Sequence, residues 1–166
     1  MAYEGEILTT CGTVDIDCTR IAIVAVSGSG PNFCGHLILY TRSSIPLYFH
    51  VAEVHGVPRY MTEQGFQRYL RENGKTEIRR RSFALPNPQG ANLYLENLLA
   101  NTWTWLVLPN NCVAFVEEVI HAGGGEWSSY SNCPTVATQD SIGEQATRFF
   151  GQLEGEIYRL YGVPSF

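Results

Sequence analysis

An Asn-Cys pair at the start of an amphipathic segment is the feature that most restricts how this chain can fold. Asn111, or Asn110 before it, is a good N-cap, because its side-chain carbonyl accepts an unpaired amide hydrogen of the first helical turn. Apolar residues recur at helical spacing over 113–120, and glycines follow at 123–125. The pattern predicts a helix with Cys112 in its first turn, where the positive end of the helix dipole lowers a thiol pKa.

Two histidines lie upstream on segments that are typical of strands. The sequence predicts one strand over 35–41 and a second over 45–54, because both segments are apolar and bounded by turn residues. A hairpin through 42–44 would make the strands antiparallel neighbours, which can hold His36 and His50 side by side on one face. With the cysteine of the predicted helix, they supply a thiol, an imidazole that accepts its proton and a polar group that orients the imidazole.

This order of functional groups resembles a known superfamily. Two strand histidines followed by an Asn-Cys-x-x-Phe-Val helix, between Cys34 and Gly124, are similar to the permuted NlpC-type branch of the papain-like cysteine enzymes. Within that branch the pattern most resembles the lecithin:retinol acyltransferases. The resemblance implies an α+β fold in which an antiparallel sheet packs against helices and the nucleophile lies at a helix N-terminus. It also implies Cys112 as the nucleophile, His36 as the base and His50 as the orienting group.

The third member of the predicted triad has two alternatives. If 47–55 were one regular strand, His50 would share a face with Tyr48, while Glu53 and His55 would share the opposite face. Only one of these two sets can face the first histidine. The resemblance favours His50, with Glu53 as the second choice and His55 as the third.

The rest of the sequence predicts further elements around this core. An apolar run over 20–26 predicts a central strand, and helical periodicity with caps predicts helices over 62–74, 89–101 and 141–161. No internal repeat or low-complexity linker divides the chain. The sequence therefore predicts a single α+β domain over 1–166.

Composition and charge exclude several classes of protein. The formal net charge of −5 argues against a nucleic-acid binder, because such proteins neutralise phosphates with basic residues. The first residues lack the basic region and apolar run of a signal peptide, and no apolar run reaches the length of about 18 residues that suggests a membrane span. We therefore expect no transmembrane segment, and either a cytoplasmic protein or one exported by a specialised secretion system.

Four cysteines remain besides the predicted nucleophile: Cys11, Cys18, Cys34 and Cys133. This even number is compatible with two disulfides, and free thiols are the alternative. No pair has the C-x-x-C spacing of a zinc site. We expect no metal and no other cofactor.

Three activities are compatible with the predicted site. The resemblance to bacterial NlpC-type proteins implies a cysteine amidase or endopeptidase that cleaves peptidoglycan peptides through a thioester. Trp127 and Tyr130, in the polar loop after the nucleophile helix, would then contact the substrate. The alternatives are a lecithin:retinol acyltransferase-like acyltransferase or phospholipase, and an inactive binding module of the same fold. If the protein is a secreted antibacterial toxin, an immunity protein is the expected partner.

Overall fold

The computed structural model describes residues 2–9, 12–28, 35–51, 57–101 and 111–126, which form a six-stranded antiparallel sheet and three α-helices. The strands are β1 (Glu6–Ile7), β2 (Arg20–Val26), β3 (His36–Arg42), β4 (Pro46–His50), β5 (Arg59–Thr62) and β6 (Glu77–Ala84). The helices are α1 (Glu63–Glu72), α2 (Pro88–Ala100) and α3 (Asn111–Ala122). The sheet order is β1-β5-β4-β3-β2-β6. The predicted mixed α+β architecture with an antiparallel sheet is therefore confirmed.

The hairpin of β3 and β4 carries both histidines that the sequence selected. The two strands pair in antiparallel register on either side of the turn that follows Arg42. β4 ends at His50, so it is shorter than the strand predicted over 45–54. Glu53 and His55, the two alternatives for the third member of the triad, lie outside the described residues.

Alternation along the strands divides the core between the two faces of the sheet. Leu37 belongs to the cluster that packs against α2 and α3, whereas Ile38 and Tyr48 belong to the cluster that packs against α1. Successive side chains of a strand point to opposite faces. His36 and His50 have the parity of the second set, so the strands direct both toward the face that α1 covers.

Helix α1 begins and ends where the sequence predicted a helix over 62–74. The Thr62 hydroxyl caps it by accepting the Gly65 N–H at 3.3 Å, and Gly74 follows its end with a φ of +60°, which suits glycine. The ring of Phe66 stacks on Tyr48 with 4.2 Å between ring centroids. This contact fixes the helix against the sheet beside the histidines.

Helices α2 and α3 pack together on the opposite face of the sheet. Asn87 caps α2 by accepting the Gly90 N–H at 3.1 Å, and the Tyr94 hydroxyl donates to Glu118 of α3 at 2.6 Å. A Cβ at Gly90 would lie 2.5 Å from the carbonyl oxygen of Ala122, so glycine permits the close approach of the two helices. The helix predicted over 89–101 and the helix that carries the cysteine are both present.

Two predictions concern parts of the chain outside the described residues. The C-terminal helix expected over 141–161 lies there, so it stays a prediction, as does the single domain over 1–166. Within the described ranges, which fall in one compact unit, no helix has the length and apolarity that a bilayer crossing requires.

Candidate active site

Cys112 lies in the first turn of α3, the position that the sequence predicted for it. The helix begins at Asn111, so its capping position falls on residue 110, outside the described residues. Phe115 and Val116 are fully buried in the core cluster beneath α3. Their packing fixes the helix start against the sheet and leaves Cys112 half-buried.

Three backbone N–H groups act on the Cys112 sulfur: those of Leu37, Cys112 itself and Val113. The last two belong to the first turn of the helix, where N–H groups have no partner within the helix. Leu37 directly follows His36 on β3. The thiol therefore lies at the end of the sheet where β3 begins, next to the backbone of the first histidine.

Burial dominates the protonation of this thiol. It raises the pKa of Cys112 above its ordinary value, and the three N–H groups together with the positive charge of Lys75 offset this only in part. The sequence-based expectation of a lowered thiol pKa is therefore wrong. The helix N-terminus acts in the expected direction, but the cost of desolvating a thiolate is larger, so the resting form is a neutral thiol.

His36 and His50 are in direct contact. His36 Nε2 lies 2.9 Å from His50 Nδ1, and the ring planes are nearly perpendicular, at 79°. Register explains the contact: Leu39 pairs with Phe49, so His50 stands opposite the residue before Leu39, and His36 is its diagonal neighbour on the same face. The structure thus brings together the two histidines that the sequence selected.

A backbone carbonyl completes this pair and fixes the tautomers of both rings. His50 Nε2 lies 2.8 Å from the carbonyl oxygen of Glu4, which can only accept, so His50 Nε2 carries a hydrogen. In neutral His50 the other nitrogen, Nδ1, then accepts, and His36 Nε2 must donate to it. Neutral His36 is left with its lone pair on Nδ1. We call this chain of groups, from His36 through His50 to the Glu4 carbonyl, the histidine relay.

Both rings of the relay are held neutral. Burial lowers the pKa of His50 to about 4, and the charges of Arg59 and Lys75 act in the same direction against the hydrogen bond to Glu4. Burial also lowers the pKa of His36, together with its His50 neighbour and Lys75. At neutral pH the site therefore contains a neutral thiol and two neutral imidazoles, with one ring nitrogen available as a base.

Tyr69 of α1 closes the relay from the helix side. Its ring meets the His50 ring edge-on, with 5.2 Å between centroids, and the side chain is buried. Burial raises the Tyr69 pKa, and the negative charges of Glu4 and ionised Cys112 add to the increase. The phenol therefore stays protonated and lies on the side of the site toward the thiol.

Cys18 differs from Cys112 in the depth of its burial. It is a free thiol, fully buried in the core, and its backbone N–H donates to Asn92 at 2.9 Å. Burial raises the pKa of Cys18 to about 12. Because Cys18 is free, it belongs to neither of the two disulfides that the sequence allowed. The three other cysteines for which the sequence allowed either disulfides or free thiols, Cys11, Cys34 and Cys133, lie outside the described residues.

Several groups in and around the site were either missed by the sequence analysis or lie where nothing is described. Sequence reasoning missed the Glu4 carbonyl, because a backbone group has no residue type, and Tyr69, because a tyrosine on an amphipathic helix is typical of a core position. Trp127 and Tyr130, the predicted substrate contacts, lie outside the described residues. Within the described part, no cluster of three histidine, cysteine or carboxylate side chains could hold a metal ion.

The fold and the site together define an α+β protein with a helix-terminal thiol and a paired-histidine relay at one end of an antiparallel sheet. The chain matches no protein-family model, no curated protein and no solved structure.

Proposed function

We propose that this protein is a cysteine hydrolase that forms a thioester at Cys112, with His36 as its base and His50 as the orienting group. The single observation that carries the proposal is the polarity of the histidine relay. The hydrogen bonds from His36 through His50 to the Glu4 carbonyl leave the lone pair of His36 on Nδ1. A histidine pair with this polarity holds the base in one tautomer, with a single ring nitrogen left to accept a proton from a nucleophile.

The proposed reaction begins from neutral partners. As the sulfur of Cys112 attacks the carbonyl carbon of a substrate, Nδ1 of His36 accepts the thiol proton, and a tetrahedral intermediate forms. The imidazolium then donates this proton to the leaving nitrogen as the carbon–nitrogen bond breaks. A water molecule, deprotonated by the same nitrogen, hydrolyses the thioester and restores the thiol. His50 keeps the imidazole in place throughout, because its Nδ1 accepts the Nε2–H of His36 in every step.

The start of α3 supplies electrostatic stabilisation for this sequence. The N–H groups of Cys112 and Val113 belong to the first helical turn, and that turn carries the positive end of the helix dipole. Negative charge on the sulfur or on the adjacent carbonyl oxygen of the substrate is favoured there. The N–H of Leu37, from β3, acts on the sulfur from the sheet side.

We further propose that the fold is the permuted papain-like arrangement, and that the substrate is a peptide of bacterial cell-wall material. The order of histidine strand, histidine strand and cysteine helix supports the first part. An acidic chain, with a net charge of −5, is disfavoured at anionic membrane surfaces, which supports a peptide amide over a phospholipid. An antibacterial effector of this kind would have an immunity protein as its partner.

The test is a direct comparison of substrates. We expect purified protein to release new amino termini from muropeptides, detected by mass spectrometry, and Cys112→Ala to abolish the release. Cys18→Ala, which removes a thiol from the core instead, should retain it. Fatty acid or lysophospholipid released from vesicles in a Cys112-dependent manner, with muropeptides intact, would replace the amidase with a lipid acyl hydrolase. Inactivity on both substrate classes would leave the inactive binding module.

A further inference from the structure

Lys75 is a cation at the same end of the sheet as the thiol. Val26, the last residue of β2, pairs with His36 on one side and with Glu77 on the other. Ser27 follows Val26 and lies just beyond these paired residues, at the end of the sheet. The Lys75 ammonium donates to the Ser27 carbonyl at 3.3 Å, which holds its charge at the edge where β3 begins.

Hydrogen bonds hold the backbone around Lys75 in place. Its N–H donates to the Leu70 carbonyl at 2.8 Å, in the turn that ends α1. The next residue, Thr76, exchanges two hydrogen bonds with Ser27: the Thr76 N–H donates to the serine hydroxyl at 2.9 Å, and the Ser27 N–H donates to the Thr76 carbonyl at 2.8 Å. The lysine therefore projects from a fixed connection between α1 and β6, on the side of the sheet that carries the histidine relay.

No carboxylate of the described residues forms an ion pair with this ammonium. Among the residues described, Lys75 is in no ion pair, and its side chain is half-buried. Its charge acts on Cys112, His36 and His50 alike. Lys75 thus places a positive charge at the site in a chain whose net charge is −5.

A half-buried ammonium without a counter-ion is unfavourable unless something compensates its charge. A neighbouring anion does so most effectively, because Coulomb interactions are stronger where water is partly excluded. Lys75 has three donors, and the Ser27 carbonyl occupies one of them. The remaining donors are available to an anionic group of a molecule that approaches the thiol.

We propose that Lys75 forms an anion subsite beside Cys112, and that this subsite binds a carboxylate next to the scissile amide of the peptide substrate. This inference rests on the proposed thiol chemistry and names the substrate class: a peptide with a free carboxylate close to the bond that is cleaved. The carboxylate bound at Lys75 would hold the neighbouring carbonyl carbon against the sulfur.

Two alkylating reagents of nearly equal size test the subsite without any substrate. Iodoacetate is an anion and iodoacetamide is neutral, and both alkylate a cysteine. We expect Lys75→Met to lower the ratio of the iodoacetate rate to the iodoacetamide rate at Cys112 about fivefold or more, which is the effect of removing one nearby positive charge. A change in the reactivity of the thiol itself affects both reagents and cancels in the ratio. Lys75→Arg should keep the ratio of the unchanged protein.

Arg20→Gln is the matched control, because it changes the net charge by the same amount. Arg20 is exposed at the other end of β2, where it pairs with Ala84. An unchanged ratio in Lys75→Met, an equal fall in Arg20→Gln, or a Cys112 that reacts with neither reagent would overturn the subsite.

A second comparison separates failure of the subsite from failure of the proposed function. Two peptides that differ only in a carboxylate or a carboxamide beside the scissile amide should differ in kcat/KM, and Lys75→Met should remove the difference. A Lys75-dependent alkylation ratio without cleavage of either peptide would reject the hydrolase but keep the anion subsite. Cleavage of both peptides with equal kcat/KM, and a ratio that does not depend on Lys75, would reject the subsite alone.

Discussion

Two opposing effects act on the sulfur of Cys112. Burial raises its pKa, while N–H groups at the helix start and the Lys75 charge lower it. The effect of burial on the pKa is the larger one, so Cys112 is a neutral thiol at rest and becomes a thiolate only when His36 accepts its proton. The site is therefore arranged for general-base catalysis from a neutral pair.

A raised thiol pKa has a direct kinetic consequence. We expect the rate of Cys112 alkylation by iodoacetamide to keep rising with pH beyond the ordinary cysteine pKa, because only the thiolate reacts. The measurement is the rate at Cys112, read by mass spectrometry of the modified peptide, with Cys112→Ala as the blank. A rate that reaches its plateau near neutral pH would contradict the raised pKa.

The two histidines should differ in their importance for turnover. His36→Ala removes the group that accepts and returns the proton, and we expect it to lower kcat by roughly a thousandfold. His50→Ala removes orientation only, so a smaller loss of roughly a hundredfold is expected. His121→Ala, an exposed histidine in the last turn of α3, serves as the control. A greater loss from His50→Ala than from His36→Ala would reverse the assigned roles.

Thr41 is fully buried, and its hydroxyl oxygen Oγ1 has no hydrogen-bond partner among the residues that the structure describes. We expect Thr41→Val to raise the free energy of unfolding by about 1 kcal/mol, because valine keeps the shape and removes an unpaired polar group. Thr41→Ser, which keeps the hydroxyl and removes a methyl group, should lower it. Urea denaturation of the three proteins measures both changes. Destabilisation by Thr41→Val would indicate that the hydroxyl has a partner in solution.

At the scale of elements, the N-terminal segment before β1 docks on the end of α1. The Tyr3 N–H donates to Glu72 at 2.8 Å, and the Asn73 side-chain amide donates to the Tyr3 carbonyl at 2.9 Å. The Arg68 guanidinium lies over the Tyr3 ring, 4.4 Å from its centroid. These contacts hold the next residue, Glu4, where its carbonyl accepts from the relay.

Loosening the segment before β1 should therefore reduce kcat through the Glu4 carbonyl. We expect Asn73→Ala to lower kcat severalfold, because the Glu4 carbonyl then fixes the His50 tautomer less firmly. Gln67→Ala, which removes a side-chain hydrogen bond of the same helix to Glu63, is the matched control. Imidazole nitrogen chemical shifts report the tautomers directly: mixed tautomers in Asn73→Ala support the positioning role. An unchanged His50 spectrum together with reduced kcat would assign the effect to something else.

The sequence predicted the elements whose residues alternate or recur with a clear period. The β3–β4 hairpin follows from two apolar runs around a polar turn, and α1 from Thr62 and Gly74 at its ends. The sequence did not decide between a strand and a loop for β6, because it is an edge strand whose residues are almost all exposed, so it has no apolar alternation. The positions of the histidines were predictable, whereas the relay that orients them depends on a distant backbone carbonyl and was not.

For the whole molecule, the two neutral histidines make stability depend on pH. The pKa of His50 is lowered to about 4 by folding, so below the ordinary histidine pKa the unfolded chain binds a proton that the folded protein excludes. The free energy of unfolding should therefore fall with decreasing pH, with about 2 kcal/mol from His50 lost by about pH 5. His36 adds a change of the same sign. Above the ordinary histidine pKa neither residue contributes a dependence on pH.

Chemical denaturation at a series of pH values checks this. Between about pH 4.5 and 6, the slope of unfolding free energy against pH should be smaller in His50→Asn. The difference should correspond to the uptake of nearly one proton fewer on unfolding. Identical slopes in the His50→Asn variant and the unchanged protein would contradict the neutral, buried His50.

The carbonyl at the end of the relay has a consequence for how protons travel. An aspartate in that place could share a proton with the ring, but an amide oxygen is far too weak a base to take one. The relay therefore cannot pass a proton on beyond His50. The proton that His36 accepts from the thiol is returned from His36 to the leaving group of the substrate. Because the closing atom belongs to the main chain, no side-chain replacement at Glu4 removes it. Only a shift of the segment before β1 does, so the relay depends on main-chain position and not on which amino acid lies there.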